Sequence, residues 1–553
     1  MTHVKKMLLG ALSFCLLLKL TSSEKLNDES INLVPGQQLL RTIPPDVSIE
    51  LITSDIPIKY RYALFQAHSQ IYSLILSFTN DVMTHGSHIE SNNAGLIKLL
   101  GLRETSTHVF LRSNAPEPVN VYLGVELYTH SDPIPGGCNM EFDVETSPFL
   151  RVSYNAFITK IAYQPGSLGY KRGEVPKSCD VSYTSMDYDF YVYHLTEGNL
   201  EESDYFKAIS IMMDLNRMKN EAKKVSPLFA MSRMTYAVTT YRRQGMVFNV
   251  VVRNKSDSAP YVPGVTYGCK LLGDTDSCAD LLKPFEWLLA IVGALLGVFL
   301  CFFGHRFFKT ALASFGFITT AMIIYIILIR WATMSYPATV AITLLVGVIG
   351  AFGWAFTWWL YGSPLVAVLL PGFDLGFLCG CILMFTPLGD LQLFQNDANY
   401  WLLIGCCVLL VSIILISFTK LLHILSCTVI GSYAAIFLID YFIDGSLRYI
   451  LIDVIRRATI PNYNNVINVI AYQTCDIILT IAWALLIIIA TIFQHIRERG
   501  RPPFPFSEYR IRKLIRLELL QQQQEPETDP LLPNNSSITN PNYSRGRYQS
   551  IVF

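Results

Sequence analysis

The residue with the clearest chemical potential is an aspartate inside a long apolar run. Asp374 closely follows Pro371 and Gly372. A carboxylate in the middle of a membrane-spanning helix costs about 3 kcal/mol and usually faces a bundle interior or water. Because proline lacks an N–H group, it kinks or unwinds a helix. The pattern is typical of a proton or cation site in a broken helix. The alternative is a structural partnership with Lys420, with His423 or with a serine of a neighbouring helix.

A group of basic and aromatic residues lies at the first turn between apolar runs. His305, Arg306 and Lys309 are flanked by four phenylalanines. Aromatic and basic side chains are enriched at membrane–water interfaces, where they anchor helices and can hold anionic lipid headgroups. We therefore expect these three residues to anchor the helix and to contact lipid at the interface.

The histidines form no metal or catalytic motif. In the apolar half, His305, His423 and His495 are far apart, and the paired-histidine spacings of zinc enzymes are absent. His85 and His88 lie in a polar segment without a surrounding set of cysteine and carboxylate ligands, so we expect them to be solvated. The sequence predicts no catalytic residue, no metal site and no cofactor, and the chain is not expected to be an enzyme.

The C-terminal segment carries two short patterns that adaptor complexes recognise. One is an acidic dileucine pattern, and the other is a tyrosine-x-x-apolar pattern. Their residues are Glu527, Leu531, Leu532, Tyr548 and Ile551. Clathrin adaptors bind such extended peptides through pockets for alternate side chains. Because the segment is polar and rich in Gln, Pro and Asn, residues 495–553 are predicted to be a disordered cytosolic tail with these sorting signals.

Membrane-spanning elements must position these residues. Of the 553 residues, 51% are hydrophobic and only 16% are charged, whereas globular chains have about 25% charged residues. The net charge is zero, which gives no reason to expect a nucleic-acid partner. The apolar excess lies in residues 286–494, in seven runs long enough for a helix to cross a bilayer. The runs are Trp287–Phe303, Ala311–Ile329, Ala338–Tyr361, Pro364–Phe385, Tyr400–Thr419, Leu421–Ile439 and Ile477–Phe493.

The N-terminal residues 1–23 are typical of a signal peptide. Lys5 and Lys6 precede the apolar stretch Met7–Leu18, which is too short to span a bilayer. An uncleaved anchor is the alternative. Cleavage after Ser23 leaves the new N-terminus in the lumen or outside the cell, and seven spans then bring the C-terminus to the cytosol. The basic residues agree, because they concentrate in the segments that this topology makes cytosolic.

Residues 24–285 are predicted to form a β-rich ectodomain. Short runs of strand type recur along it, separated by turn clusters such as residues 132–137. About 260 residues are more than the ~100 of one β-sandwich, so we expect two sandwich-like units, 24–131 and 132–285. The spacing of apolar residues in Glu201–Val225 predicts one or two helices inserted in the second unit.

The ectodomain holds four cysteines and one glycosylation motif. The cysteines are Cys138, Cys179, Cys269 and Cys278. In an oxidising compartment they predict two disulfides, for which three pairings are possible. We expect the pairing that joins the first to the second and the third to the fourth, because it closes the shorter loops. Asn254 begins an Asn-Lys-Ser motif and is the predicted glycan site.

Two predictions concern the loops near the ectodomain. Leu447–Ala458 has apolar residues on one helical face, so we expect a helix that lies flat on the membrane or docks under the ectodomain. Asp440, Asp444 and Asp476 lie near the ends of apolar runs, and we expect them to be solvated.

Five short segments, spread from the ectodomain to the tail, carry a family resemblance. They are Asp132–Asn139, Cys301–Phe307, Phe385–Gly389, Val429–Tyr433 and Arg497–Pro502. Together they resemble the family of transmembrane 7 superfamily member 3 over nearly the whole chain, and the four ectodomain cysteines correspond as well. The resemblance implies a non-enzymatic multi-span protein linked to cell survival and to attenuation of unfolded-protein stress. It carries over no catalytic residues.

The resulting hypothesis is a seven-span membrane protein whose ectodomain binds a protein or lipid partner. Its expected location is the plasma membrane and the endolysosomal system, reached through the secretory pathway. A transporter or channel that uses Asp374 is one alternative, and a G-protein-coupled receptor is another. The sequence motifs of rhodopsin-like receptors are absent from the third and seventh apolar runs, and seven spans alone are only an analogy of fold.

Overall fold

The computed structural model describes residues 30–80, 86–141, 144–225, 234–273, 276–278, 284–505 and 507–524. The predicted signal peptide, His85 and the predicted sorting residues Glu527, Leu531, Leu532, Tyr548 and Ile551 lie outside these ranges. Within them, a β-rich ectodomain precedes a bundle of apolar helices. This is the fold class that the sequence predicts.

The first unit of the ectodomain is a sandwich of two sheets. Its described strands are β1 (Ser30–Asn32), β2 (Gln38–Ile43), β3 (Ser48–Thr53), β4 (Tyr60–His68), β5 (Leu74–Ser77), β6 (His88–Ser91), β7 (Asn93–Leu99), β8 (Thr107–Ser113) and β9 (Val119–Thr129). The sheets have the orders β1–β3–β8–β5–β6 and β2–β9–β4–β7 and share one apolar core. Strand β3 alternates between buried and partly exposed residues, so Ile49 and Leu51 point into that core.

The second unit has two further sheets. Its described strands are β10 (Arg151–Tyr154), β11 (Ile158–Ala162), β12 (Asp187–His194), β13 (Lys223–Val225), β14 (Thr235–Thr239), β15 (Met246–Asn254), β16 (Asp257–Pro260) and β17 (Gly264–Thr266). One sheet has the order β10–β11–β14, and the other has the order β13–β12–β15–β16 with β17 beside β15. The two units contact each other through a small apolar cluster that includes Leu64 of β4 and Val262.

Helices cover the outer face of the larger sheet in the second unit. They are α2 (Glu202–Met213) and α3 (Leu215–Glu221), while α1 (Cys179–Thr184) precedes β12. Asp214 separates α2 from α3, because its side chain caps α3 by accepting two backbone N–H groups. The predicted helical insert is confirmed, except that its last three residues form β13. Strand β15 is buried on both faces, which explains its continuous apolar sequence.

Both disulfides lie in the second unit. Cys138 pairs with Cys179, and Cys269 pairs with Cys278. The pairing expected from the shorter loops is therefore confirmed. The first bond ties the segment before β10 to α1, and the second closes the loop that follows β17.

Apolar helices make up most of the second half of the chain. The helices described there are α4 (Pro284–Phe303), α5 (Phe308–Trp331), α6 (Tyr336–Tyr361), α7 (Pro364–Phe385), α8 (Asp397–Leu415), α9 (Thr419–Phe442), α10 (Tyr449–Thr459), α11 (Thr474–Arg497) and α12 (Glu508–Gln524). Five helical segments have the length and composition to cross a membrane: α5, α6, α7, α11 and the 46-residue Asp397–Phe442. The last contains both α8 and α9, divided by a 3-10 turn at Ile416–Phe418. With the shorter apolar stretch of α4, the described residues hold seven apolar helices, as predicted.

Helix α9 is central to the bundle. It packs against α4, α7 and α11. Its Gly431 meets Gly297 of α4 so closely that a Cβ atom on either residue would lie within 2.7 Å of the other's carbonyl oxygen. Small residues of this kind let membrane helices approach each other and gain dispersion energy along the contact.

The segment after the last span does not begin as a disordered tail. Phe504 packs edge-on against Phe308 at the end of the bundle, with 5.3 Å between ring centroids. Helix α12 follows, and Lys309 forms a 3.0 Å ion pair with its Glu508. The prediction of disorder for 495–553 is therefore wrong for the described part of that segment, because aromatic packing and an ion pair hold it against the bundle.

Candidate functional site

One segment between the last two spans joins the ectodomain to the helix bundle. We call residues Ser446–Val469 the joint; it contains α10 and a 3-10 turn at Tyr463–Asn465. Some of its side chains belong to the apolar core of the second β-unit, and others belong to the core of the bundle. The two halves of the protein therefore share this segment as part of both cores.

Helix α10 has two buried faces because it lies between two apolar surfaces. Tyr449 packs edge-on against Tyr241 of the ectodomain, with 4.5 Å between ring centroids. Ile450 and Val454 are buried in the bundle core instead. Of the two placements expected for Leu447–Ala458, docking under the ectodomain is the observed one.

The joint also extends a sheet of the ectodomain. The backbone N–H of Ile467 donates to the carbonyl of Ala237 at 2.8 Å, and its carbonyl accepts from the N–H of Thr239 at 3.1 Å. These two residues belong to β14, which is an edge strand and would otherwise leave backbone groups unpaired. A membrane loop thus supplies the neighbouring segment in parallel orientation.

Charged side chains reinforce the contact of α10 with the ectodomain. Arg456 donates to the carbonyls of Thr240 and Ala156 at 3.3 and 3.4 Å. It also forms a 3.2 Å ion pair with Asp453, which accepts a hydrogen bond from Asn468 at 3.0 Å. Burial raises the pKa of Asp453 to about 6, although its two partners favour the charged form. The ion pair itself needs an ionised Asp453, but the raised pKa means that the folded state loses stability as the pH rises from 3.8 to about 6.

Two buried aspartates hold the start of the joint. Asp440 of α9 accepts the backbone N–H groups of Leu447 and Arg448 at 3.1 and 2.9 Å. Asp476 of α11 accepts that of Ser446 at 2.8 Å. Both aspartates are 0% exposed. The expectation that they are solvated is therefore wrong, because the chain folds back over them and offers backbone donors.

The third aspartate near these span ends forms an ion pair with the ectodomain. Asp444 lies in the turn after α9, and Arg243 lies between β14 and β15. The Nε atom of Arg243 is 2.9 Å from a carboxylate oxygen of Asp444. Both side chains are largely buried. The ion pair therefore crosses from the ectodomain to the bundle beside the joint.

Glu197 brings a further carboxyl group from the ectodomain to this place. Its backbone N–H donates to the side chain of Gln473 at 3.1 Å. Both carboxyl oxygens are inaccessible to solvent, and neither accepts a hydrogen bond within the described chain. Burial raises the pKa of Glu197 to about 9, and the neighbouring Asp476 and Asp440 act in the same direction. Two ionised carboxylates can only accept hydrogen bonds, so an ionised Glu197 could not form a hydrogen bond with Asp476. The protonated form of Glu197 has an O–H donor and therefore fits the site.

The structure does not assemble the intramembrane site predicted from Asp374, Lys420 and His423. Asp374 accepts the hydroxyl of Thr319 on α5, at 2.8 and 3.0 Å to its two oxygens. Lys420 instead donates to a backbone carbonyl at the end of α11. Helix α7 also continues without interruption through Pro371, so the expected break in the helix is absent. Of the two interpretations of Asp374, a structural partnership agrees with these contacts, although the partner is a threonine.

His305 lies inside the bundle instead of at its lipid surface. It is 6% exposed, its backbone N–H donates to Gln494 at 3.1 Å, and its ring Nδ1 lies 3.2 Å from Nδ1 of His423. Burial lowers the pKa of His305 to about 4. The predicted lipid contact is therefore wrong for His305, whereas the side chains of Arg306 and Lys309 are exposed.

The predicted glycan site lies at an exposed turn of the second β-unit. Asn254 ends β15 at the turn into β16, where Lys255 and Ser256 are exposed. A glycan at this turn would not disturb a core.

Over the described ranges, no group of three or more His, Cys, Asp or Glu side chains has an arrangement that could hold a metal ion.

Sequence comparisons agree with the two-part architecture. Three family models match: a TM7SF3-like N-terminal immunoglobulin-like domain over residues 29–128, a TM7SF3-like second immunoglobulin-like domain over 133–272, and a TM7S3/TM198-like domain over 290–495. Transmembrane 7 superfamily member 3 of Homo sapiens is 33% identical over 499 residues, which are 89% of this chain and 87% of that protein. The Mus musculus protein of that name is 34% identical over 483 residues, 86% of this chain and 84% of that protein.

The buried carboxyl group of Glu197 predicts a pH dependence of the contact between ectodomain and bundle. Its pKa rises from an ordinary value of 4.5 to about 9 on folding. The folded state must therefore keep a proton that the unfolded state releases, and stability falls as pH rises from 4.5 to 9. The Glu197→Gln variant keeps a hydrogen-bond donor but has no group that titrates. We therefore expect its melting temperature to depend less on pH between pH 5 and pH 9 than that of the wild-type chain.

The matched control for this experiment is Glu201→Gln, since Glu201 is exposed and its side chain makes no cap hydrogen bond. The melting temperature is measured by differential scanning fluorimetry of the full chain in detergent. Identical pH slopes for the original chain and for Glu197→Gln would contradict the assignment of a neutral Glu197.

Proposed function

The chain belongs to the family of transmembrane 7 superfamily member 3, and we propose that it is a non-enzymatic membrane protein that supports protein homeostasis. In this proposal it attenuates the stress response to unfolded proteins and promotes cell survival. Its immunoglobulin-like ectodomain binds a protein or lipid partner, and the helix bundle responds to that binding.

The role in protein homeostasis rests on the family resemblance, whereas the joint is the observation that supports a coupled response of the ectodomain and the bundle. Because Tyr449 and Ile467 lie in the ectodomain core while Ile450 and Val454 lie in the bundle core, a displacement of the second β-unit must move α10. Helix α10 in turn is linked to the ends of α9 and α11 through Asp440 and the carboxyl groups around it. A partner that binds one arrangement of the ectodomain better than another therefore biases the bundle by that difference in affinity.

The first β-unit offers a surface for such a partner. The outer face of the sheet that contains β3 and β8 carries solvent-accessible polar and aromatic side chains, among them Glu50, His108 and Phe110. Aromatic side chains such as Phe110 are enriched at protein interfaces relative to the rest of the protein surface. The contact between the two units at Leu64 and Val262 then connects this surface to the second unit and, through it, to the joint.

We also propose a topology and a location. The ectodomain lies outside the cell or in the lumen, the C-terminus lies in the cytosol, and the protein reaches the plasma membrane and the endolysosomal system through the secretory pathway. Two disulfides support an oxidising compartment for the ectodomain. Clathrin adaptors are the proposed partners of the tail.

A pair of neighbouring arginines tests the function that depends on the joint. Arg243 forms the ion pair with Asp444 and also donates to the carbonyl of Cys278 at 3.2 Å. Its neighbour Arg242 donates to the carbonyl of Ser277 within the ectodomain at 2.7 Å. The test uses cells that lack the protein and are treated with tunicamycin. We expect that expression of the wild-type chain, or of the Arg242→Ala variant, reduces the signal of a transcriptional reporter of unfolded-protein stress. At equal surface abundance, the reduction of the reporter signal by the Arg243→Ala variant should be at most half of the reduction by the Arg242→Ala variant.

Two results would count against this proposal in different ways. If the original chain does not lower the reporter, the role in protein homeostasis is wrong. If Arg243→Ala lowers it as well as Arg242→Ala does, the ectodomain and the bundle do not act through their contact at the joint.

Glycosylation tests the topology. We expect the protein from cells to lose mass after treatment with a peptide N-glycosidase, because Asn254 is accessible at its turn and faces the lumen during synthesis. Asn254→Gln should abolish the change in mass, as measured by electrophoresis. In the predicted tail, Asn-x-Ser motifs also begin at Asn534, Asn535 and Asn542. A glycan on any of these three residues would place the tail in the lumen and overturn the topology.

The tail patterns test the location. Leu531→Ala with Leu532→Ala should raise surface abundance moderately, and added Tyr548→Ala should raise it further, because the two patterns fill separate adaptor pockets. Surface biotinylation measures the effect. Leu519→Ala with Leu520→Ala in α12 is the matched control, since these adjacent leucines lack the acidic spacing. Unchanged surface abundance in the triple variant would mean that the patterns are not sorting signals.

A further inference from the structure

Two adjoining cavities lie beneath the ectodomain, where the joint meets the ends of the spans. One has a volume of about 440 Å³ and the other about 230 Å³. The residues that line both cavities are Lys223, Phe385, Asp390, Ile450 and Asn468. Strand β13, the end of α7, the turn after it and the joint therefore line both cavities, which together we call the double cavity.

The larger cavity is an apolar cleft between α7 and α11. Its walls include Ile382 and Phe385 of α7, Leu447 of the joint and Trp483 of α11. The indole N–H of Trp483 donates into the bundle, to Ser432 at 2.9 Å, so an apolar ring surface remains for the cleft. Helix α9 packs against both α7 and α11 and keeps them apart. A cleft with this lining suits a hydrocarbon chain that enters from the membrane between these two helices.

Opposite charges lie where the cleft meets the smaller cavity. Lys223 is exposed and has no carboxylate within 4 Å in the described residues, whereas the neighbouring Lys224 is already paired with Asp189 at 2.9 Å. Asp390 ends the 3-10 turn that follows α7 and is also exposed. An ammonium group and a carboxylate at one cavity complement a ligand that carries a phosphate and an amine.

We propose that this double cavity binds one zwitterionic phospholipid of the membrane leaflet next to the ectodomain. One acyl chain lies in the apolar cleft, the phosphate contacts Lys223 and the amine contacts Asp390. The lipid would then touch Ile450 and Asn468 of the joint, so that it completes the contact between the ectodomain and the bundle. This site is independent of the function proposed above, because it depends only on the cavity and its lining.

Lipid analysis of the purified full chain tests the site. The protein is extracted from cell membranes in a mild detergent, and phosphatidylethanolamine and phosphatidylcholine are quantified per chain by mass spectrometry. Ile382→Trp fills the cleft, and Leu383→Trp on the neighbouring, outward-facing position is its control. Lys223→Ala removes the cation, and Lys219→Ala on exposed α3 is its control.

We expect one zwitterionic phospholipid per chain in the original protein and in both controls, and at least a several-fold loss in Ile382→Trp and Lys223→Ala. Lys223 lies outside the spans, so its variant remains informative if Ile382→Trp fails to fold. Equal retention in all variants would mean that the lipid is only annular and would overturn the proposal. So would the absence of bound phospholipid, or retention of a sterol or an anionic lipid instead.

Discussion

The packing of α10 between two apolar cores is the interaction on which the rest of the structure depends. Burial of one large apolar side chain contributes about 1.5–3 kcal/mol. Tyr449 and Ile467 contribute on the ectodomain side, and Ile450 and Val454 on the bundle side. Such a sum is comparable with the whole stability of an ordinary domain, about 5–15 kcal/mol. Two domains that a linker merely tethered would lack this coupling.

The polar contacts around the joint follow from that packing. Once α10 is in place, the chain just before it covers the carboxylates of Asp440 and Asp476, which must then find donors inside the protein. The backbone N–H groups of Ser446, Leu447 and Arg448 supply them. The carboxyl group of Glu197 lies near these two carboxylates. Because a bound proton keeps Glu197 neutral, the protein avoids a third buried negative charge at this place.

The sequence was informative wherever local pattern decides the structure. Strand alternation, apolar runs of bilayer length and the loop lengths between cysteines predicted the β-units, the spans and both disulfides. It was uninformative where partners are distant in the chain. The residues around Ile467 do not indicate that it pairs with β14, which lies more than 220 residues earlier. The residues around Asp374 likewise do not indicate that its partner is Thr319. Asp440 resembles any acidic residue at a span end until the returning chain covers it.

Amide hydrogen exchange at two positions tests the shared joint most directly. In the full chain, reconstituted in lipid nanodiscs, the amides of Ile467 and Thr239 donate across the contact between joint and ectodomain. We predict that both exchange slowly at similar rates, and that Tyr449→Ala accelerates both while the amide of Leu123 in the first β-unit stays protected. Fast exchange at Ile467 beside a protected Thr239, or no response to Tyr449→Ala, would contradict the account.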